Sequence, residues 1–164
     1  MKRVYFIFNL HSGKAALNNQ IPKLLDQFTA AGYEVTVHPT QRQGDGIVSA
    51  KYACEHGFDL LVCAGGDGTL NELVQGAAGS ANVAVGCVPC GSGNDYVRNF
   101  GAAGQAPFLD FAAQLQAQPC RVDLLQTSLG IGIDICAAGL DAQVAYGIPK
   151  FRRLPGCGGT AAYT

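Results

Sequence analysis

Hydrophobic residues follow two alternating patterns along the chain: short unbroken runs and longer stretches with helical spacing. The unbroken runs, which are typical of buried strands, are residues 3–8, 33–38, 58–64 and 83–89. Helical spacing covers residues 15–31, residues 47–56 and the segment after Thr69. Apolar strands separated by helices indicate a parallel sheet covered on both faces. The predicted fold class is therefore α/β, with a three-layer, doubly wound and mostly parallel sheet.

The pattern changes after residue 119. Residues 120–126 and 130–137 predict neighbouring strands with no helix between them. We therefore predict one domain over residues 1–119 and the beginning of a β-rich second domain over residues 120–164. That second domain is expected to be truncated, because its strands lack partners and residues 158–164 reach only a first helical turn. Exposed strand edges in such a fragment could pair with a second copy, so a homodimer is one expected arrangement.

The composition excludes several classes of protein. Hydrophobic residues make up 48% and charged residues only 14%, which argues against intrinsic disorder. A formal net charge of -1 lacks the basic footprint of a nucleic-acid-binding protein. The first apolar run is shorter than the roughly 7–15 residues of a signal-peptide core, and none approaches the roughly 20 residues of a membrane span. We therefore expect a cytoplasmic protein with no nucleic-acid partner.

Cysteine is frequent but gives no metal or disulfide pattern. The seven cysteines are scattered, and an odd number fits a reduced protein better than a disulfide framework. Cys87 and Cys90 have CxxC spacing, but no second ligand pair stands at the distance in sequence that a zinc site needs. The three histidines also lack ligand spacing. No metal-ligating residues are predicted.

A glycine-rich hinge joins the third predicted strand to the helix that follows it. Its residues are Gly65, Gly66, Asp67 and Gly68. Ligands of open parallel sheets bind beyond the carboxyl ends of the strands, glycine permits close backbone approach, and a helix N-terminus favours anions. Asp67 would repel phosphate unless a cation lies between them or the carboxylate handles a proton. The plain alternative is turn chemistry, with Thr69 to Glu72 forming a capping box.

Two further polar loops follow strands that end at the same edge of the predicted sheet. The first strand leads into Asn9, Ser12, Gly13 and Lys14, and the fourth leads into Gly91, Ser92, Asn94 and Asp95. Hydroxyl groups, open backbone and a lysine are suitable partners for phosphate. Three such loops at one edge favour phosphate binding over simple turns.

The motif GGDGTLNE at residues 65–72, followed by P-x-G-S-G-N-D at residues 89–95, resembles the catalytic domain of the diacylglycerol kinase family. This family includes soluble bacterial lipid kinases and sphingosine kinases. The loop after the first strand resembles the family's N-P-x-S-G-K opening, with Leu10 in place of proline, and Ser92 stands where the family usually has threonine. NAD kinases and phosphofructokinases, which share the glycine element, lack the second motif.

The resemblance implies a nucleotide-binding kinase domain over residues 1–119, with the NAD kinase and phosphofructokinase type of sheet. It implies ATP and Mg²⁺ as cofactors, with Asp67 catalytic through magnesium or through the acceptor hydroxyl. The residues it assigns to nucleotide binding are Asn9, Ser12, Gly13, Lys14, Thr40, Gly65, Gly66, Asp67, Gly68, Thr69, Leu70, Asn71, Glu72, Gly91, Ser92, Asn94 and Asp95.

The acceptor implied by the resemblance is a lipid hydroxyl of the diacylglycerol type, met at a membrane surface by peripheral contact. Lys150, Arg152 and Arg153 form a basic patch, but three cations fall short of the roughly four to eight of a lipid-recognition cluster. Asp141 matches a family element at the start of the second domain. The chain alone is expected to bind ATP weakly and not to phosphorylate lipid. The alternatives are a small-molecule kinase like the NAD kinases and a regulatory nucleotide-binding module.

Overall fold

Four parallel strands form the central sheet of the computed structural model, which describes residues 1–9, 16–140, 142–143 and 146–147. They are β1 (Lys2–Phe8), β2 (Tyr33–Pro39), β3 (Leu60–Gly65) and β4 (Ala84–Pro89), in the spatial order β2-β1-β3-β4. All three neighbouring pairs are parallel. The prediction of a parallel α/β sheet is confirmed, and each strand lies within one or two residues of its predicted position.

Six helices are defined in residues 1–9 and 16–134 and accompany the sheet. They are α1 (Ala16–Ala30), α2 (Asp45–Glu55), α3 (Asp67–Ala77), α4 (Asp95–Arg98), α5 (Gly101–Leu109) and α6 (Phe111–Gln116). The first three match the predicted helices. The sequence analysis did not predict α4 to α6, because the segment is rich in alanine and glycine and lacks a helical apolar face. None of the residues of α5, for example, is buried.

Two hydrophobic clusters lie on opposite faces of the sheet, which gives the predicted three layers. Tyr5 and Ile7 of β1 pack with helices α2 and α3 on one face. Val4, Phe6 and Phe8 of the same strand pack with α1 and α6 on the other. Alternate residues of a strand point to opposite faces, so one fully apolar strand supplies both clusters.

A short antiparallel hairpin follows the helices, formed by β5 (Leu125–Thr127) and β6 (Gly130–Gly132). The two strands were expected to be neighbours, but their predicted lengths, residues 120–126 and 130–137, were wrong. In the described part of the chain neither strand pairs with a third, so little holds the flanking residues extended. Ile133, just after β6, packs against the cluster formed by α2 and α3.

The chain divides into two compact units, Met1–Asp134 and Ile135–Thr164. The first contains every helix and strand named above. The predicted domain boundary after residue 119 and the predicted homodimer stay predictions. Among the described helices, none combines the length and the apolar character needed to cross a membrane.

The strand order determines where a ligand can enter. From β1 the chain first adds β2 on one side and later β3 on the other, so the direction of winding reverses between β1 and β3. Open parallel sheets bind ligands beyond the carboxyl ends of the strands at such a reversal. Asn9 follows β1 at this point, and Gly66 follows β3.

Candidate functional site

A cavity of about 460 Å³ opens at the carboxyl ends of β1, β2 and β3. Its lining residues are Asn9, Thr40, Gln41, Arg42, Gln43, Gly66, Gly68, Thr69 and Glu72. The volume falls within the roughly 300–1,000 Å³ of small-molecule sites. Six of these nine residues belong to the predicted set, which was assembled from loops far apart in sequence.

Helix α3 presents its N-terminus to the cavity. The helix begins at Asp67, and Gly66, in an extended conformation, has no side chain with which to cap it. The N–H groups of Thr69 and Leu70 donate to the carbonyl oxygen of Gly66. An anion placed here would meet the positive end of the helix dipole.

The capping box, named above as the plain alternative, does not form, because the carboxylate of Glu72 bonds to another helix. Glu72 Oε1 accepts from the N–H of Gly44 at 2.9 Å, and Oε2 accepts from the N–H of Gly46 at 3.0 Å. Both groups belong to the N-terminal end of α2, where Gly44 has a left-handed conformation. Glu72 therefore supplies the cap that α2 cannot obtain from its own glycine.

Glycines at residues 65 and 91 are required by close packing. A Cβ atom on Gly65 would lie 2.5 Å from Thr69 Oγ1, and one on Gly91 would lie 2.5 Å from the Cα atom of Gly66. The N–H of Cys90 also donates to the carbonyl oxygen of Gly65 at 2.8 Å. The loop after β3 and the loop after β4 are therefore in direct backbone contact.

Asn94 closes the loop after β4. Its Oδ1 accepts from the N–H of Gly91 at 2.8 Å, and its Nδ2 donates to the carbonyl oxygen of Gly91 at 3.0 Å. Asn94 has a left-handed conformation with φ of 55°, which asparagine tolerates better than most residues. These two bonds hold Gly91 against Gly66.

Asp67 lies where the two loops meet. Its Oδ1 accepts from the N–H of Tyr96 in the first turn of α4 at 3.3 Å. A Cβ atom on Gly93 would lie 3.0 Å from Asp67 Oδ2 and 3.1 Å from Asp95 Oδ2. The backbone of Gly93 thus lies next to both carboxylates, and a side chain at this position would have to displace them slightly.

The charges of Asp67 and Asp95 also shift the pKa of a third carboxyl group, that of Asp134. Burial raises the pKa of Asp134, and the negative charges of Asp67 and Asp95 raise it further. The Nδ2 group of Asn99 donates to Asp134 Oδ1 at 3.0 Å and opposes this shift. Within the described ranges, however, no three Asp, Glu, His or Cys side chains form a group that could hold a metal ion.

The environment of the two thiols beneath the site disfavours their thiolate forms. Burial, followed by the charge of Asp67, raises the pKa of Cys87 to about 12. Burial also raises the pKa of Cys90. Since the thiolate is the form that binds metals and attacks disulfides, these cysteines serve as small apolar residues.

The far rim of the cavity runs from Thr40 to Gln43, and hydrogen bonds connect it to β1 and to α2. The N–H of Thr40 donates to the carbonyl oxygen of Phe8 at 2.9 Å, which joins β2 to β1. Asp45 Oδ2 accepts from the N–H groups of Gln41 and Arg42 at 2.8 and 3.1 Å. These hydrogen bonds and the Arg42 guanidinium lower the pKa of Asp45.

Sequence reasoning included Thr40 but missed Gln41, Arg42 and Gln43. The signal that could have found them is their position, since they follow a strand that ends at the same edge of the sheet. Arg42 is the one basic residue among the described residues that line the cavity. Its Nε atom donates to Asp45 Oδ1 at 3.1 Å.

Other predicted residues lie away from the cavity or outside the description. Leu70 is buried in the core formed with α2. Asn71 lies beside β6, since a Cβ atom on Gly132 would be 3.8 Å from its Oδ1. Gly91, Ser92, Asn94 and Asp95 belong to the neighbouring loop and are not among the described residues that line the cavity. Ser12, Gly13, Lys14, Asp141, Lys150, Arg152 and Arg153 lie outside the described residues.

The sheet, its helices and the two contacting loops define a member of the diacylglycerol kinase catalytic domain family. The model of that family, "Diacylglycerol kinase catalytic domain", matches residues 3–127, and the chain belongs to this family. The match covers the central sheet except Lys2, and both motif-bearing loops.

Curated relatives agree with this assignment. The chain is 33% identical over 151 residues to a diacylglycerol kinase of Bacillus subtilis (strain 168), a match that covers 92% of the chain and 50% of the relative. It is 34% identical over 153 residues to a diacylglycerol kinase of Staphylococcus aureus (strain JH9), covering 91% of the chain and 47% of the relative. The chain therefore spans about half the length of the curated relatives it matches.

A solved structure shares the fold. The crystal structure of a diacylglycerol kinase from Bacillus anthracis str. Sterne matches with a TM-score of 0.57 and 25% sequence identity. The match covers 69% of this chain and 44% of that chain. It supports the predicted three-layer α/β class.

Proposed function

We propose that the chain is the ATP-binding part of a kinase that transfers a phosphoryl group to a lipid hydroxyl of the diacylglycerol type. The observation that carries the proposal is the cavity at the N-terminus of α3, walled by Gly66 and Gly68 in a chain of this family. The names of the curated relatives support the same acceptor class.

The proposed nucleotide lies in the cavity with its phosphates against the N-terminus of α3. Gly68 leaves open space, because a Cβ atom on it would have no neighbour within 4 Å. Backbone N–H groups and a helix dipole stabilise phosphate charge without reorganisation during the reaction. Arg42 on the rim adds a positive charge. Lys14, from the segment that resembles the family's N-P-x-S-G-K opening, is the second cation proposed to act on the phosphates.

Asp67 is the proposed catalytic residue. Its carboxylate is held by the N–H of Tyr96, while Oδ2 lies beside Gly93, near the carboxylate of Asp95. Two neighbouring carboxylates favour a bound cation at this place. A carboxylate held in this way can accept the proton of an acceptor hydroxyl as it attacks phosphorus.

The residues present fit Mg²⁺ as a partner of the nucleotide. Mg²⁺ in kinases is usually held by one or two carboxylates together with substrate phosphates and water. Asp67 and Asp95 are the oxygen ligands proposed for it, and no three-residue metal group occurs among the described residues. Magnesium neutralises phosphate charge, and the chain's own contribution is the orientation of Asp67.

The lipid acceptor would be met by peripheral contact with the cytoplasmic face of a membrane. A diacylglycerol keeps its acyl chains in the bilayer and presents only the hydroxyl group near the surface. The ATP-binding part must therefore approach the surface without entering it. The membrane contact and the groups that bind the acyl chains are left to the remainder of the enzyme.

The test measures ATP binding by this chain and phosphoryl transfer by the complete protein. Calorimetry should detect ATP binding that is lost when Gly66 is replaced by valine, whose Cβ atom would lie 3.1 Å from the Cα atom of Gly91 and would separate the two loops. Labelled ATP is then supplied with diacylglycerol, a sphingoid base and NAD, and phosphorylated diacylglycerol is expected. Transfer to NAD alone would identify a small-molecule kinase instead, and ATP binding without any phosphorylated acceptor would indicate a regulatory module.

A further inference from the structure

Glu72 connects the two walls of the cavity through its side chain. It lies on α3, the helix that starts at the glycine wall, and its two carboxylate oxygens bond to Gly44 and Gly46 at the start of α2. The partners are 28 and 26 residues away in sequence. The rim from Thr40 to Gln43 leads directly into these two glycines.

The contact between the two helices is close enough to define the position of α2. A Cβ atom on Gly46 would lie 2.8 Å from both Cβ and Oε2 of Glu72. One turn further along α3, a Cβ atom on Gly76 would lie 2.4 Å from the carbonyl oxygen of Ile47 and 2.6 Å from Ala50 Cβ. Neither helix can shift toward the other, and the hydrogen bonds of Glu72 prevent the start of α2 from moving away.

Hydrogen bonds also connect the rim to the first residue of α2. Asp45, which lies between the two glycines, bonds to the N–H groups of Gln41 and Arg42. A displacement at the start of α2 would therefore be transmitted to the whole rim. The separation between Arg42 on the rim and Gly66 on the opposite wall depends on Glu72.

We infer that Glu72 is a positioning residue that holds the rim at the separation ATP requires. The inference rests on the proposed function, because it names ATP as the occupant of the cavity. Both carboxylate oxygens are engaged with backbone N–H groups. A carboxylate would also repel the phosphates of ATP, so its effect on affinity is exerted through the backbone that it holds.

The test replaces Glu72 by glutamine and measures two quantities. The first is hydrogen exchange of the Gly44 and Gly46 amides without nucleotide, and the second is ATP affinity by calorimetry. A neutral amide keeps one acceptor and turns an N–H group toward another N–H donor, so exchange at both amides should accelerate about tenfold or more. ATP should bind about tenfold more weakly. In the complete enzyme the KM for ATP should rise with kcat nearly unchanged.

Two further variants keep the test decisive. Glu55→Gln makes the same chemical change at an exposed position at the other end of α2, and it should alter neither measurement. Gly46→Ala introduces the Cβ atom that would contact Glu72, and it should weaken ATP binding in the same direction. Far-UV circular dichroism must show folded protein for each variant.

Each other outcome contradicts a defined part of the argument. Weaker ATP binding by Glu72→Gln with unchanged exchange would mean that the carboxylate contacts ATP directly. Faster exchange with unchanged ATP affinity would mean that the rim does not limit the site. Either result would overturn the inference and leave the proposed function intact. A wild-type chain that does not bind ATP would overturn the proposed function itself.

Discussion

Gly66 and Gly91 lie in backbone contact, so that a Cβ atom on Gly91 would be 2.5 Å from the Cα atom of its partner. Gly66 follows β3 and Gly91 follows β4, and the two motifs of the family meet at this contact. The same backbone contact therefore explains why glycine is required at both residue 66 and residue 91. Asp67 lies next to this contact, and its Oδ1 accepts a hydrogen bond from the N–H of Tyr96 at the start of α4.

Gly91→Ala is expected to separate the two loops. The added methyl group would overlap backbone atoms, which cannot move aside as a flexible side chain would. Overpacking of this kind costs roughly 1–3 kcal/mol of unfolding free energy. Urea denaturation should show this loss together with weaker ATP binding. Unchanged stability would mean that the loops are further apart than the contact indicates.

Gly68→Ala is the matched substitution on the cavity side. A Cβ atom there has no neighbour within 4 Å, and α3 should gain up to about 1 kcal/mol because alanine favours helix more than glycine does. The methyl group would nevertheless enter the proposed phosphate space, so ATP should bind about tenfold or more weakly. Full ATP affinity in this stable variant would contradict the proposed position of the phosphates.

In the complete protein, Asp67→Asn should lower turnover about 100-fold or more while the fold is kept. An asparagine can still accept the hydrogen bond from Tyr96, so α4 should remain in place. Loss of a general base or metal-binding carboxylate typically lowers rates by roughly 10²-fold or more. The negative charge of Asp67 contributes to the raised pKa of Asp134, so NMR titration should find that pKa lowered in the variant. Near-normal turnover would reduce Asp67 to a turn residue.

The sequence predicts the sheet and the meeting of the loops after β3 and β4 well because these depend on local patterns. Runs of apolar residues define strands, and glycine marks the points where backbone must approach closely. It predicts the partners of side chains poorly. Thr69 and Glu72 have the spacing of a capping box, yet Glu72 bonds to amides 26 and 28 residues away. A local pattern cannot reveal such a contact, because it arises only when two helices pack together.

Helices α4 to α6 show a second limit. Their sequence, rich in small residues, gives no amphipathic period, and they are stabilised by tertiary contacts instead. Phe111 of α6 packs edge-on against Phe28 of α1, with ring centroids 4.9 Å apart. The side chain of Gln114 completes the docking of α6, since it accepts from the N–H of Cys87 at 3.0 Å and donates to its carbonyl oxygen at 2.9 Å.

Gln114→Ala is therefore expected to destabilise the chain and expose the edge of the sheet. Strand β4 is an edge strand, and the amide of Gln114 bonds to its backbone as a neighbouring strand would. Loss of both bonds should cost roughly 1–3 kcal/mol in urea denaturation and favour aggregation through β4. Gln116→Ala, at an exposed position of the same helix, is the control and should change neither property.

Asp134 and Asp45 should give stability opposite dependences on pH. Burial and the charges of Asp67 and Asp95 raise the folded-state pKa of Asp134 above its ordinary value of 3.8. The stability that the protonated Asp134 side chain contributes is therefore present below pH 3.8 and is lost as pH rises through the folded-state pKa. Asp134→Asn should therefore be more stable than wild type at pH 7 and lose this advantage under acid conditions.

The pKa of Asp45 is lowered instead, by hydrogen bonds from Gln41 and Arg42, so its contribution is present above pH 3.8 and is lost as pH falls through the folded-state pKa. Asp45→Asn should be less stable than wild type at pH 7. Urea denaturation of the three proteins between pH 3 and pH 7 measures both effects, and a shift of the same sign in the two variants at pH 7 would contradict the electrostatic assignment.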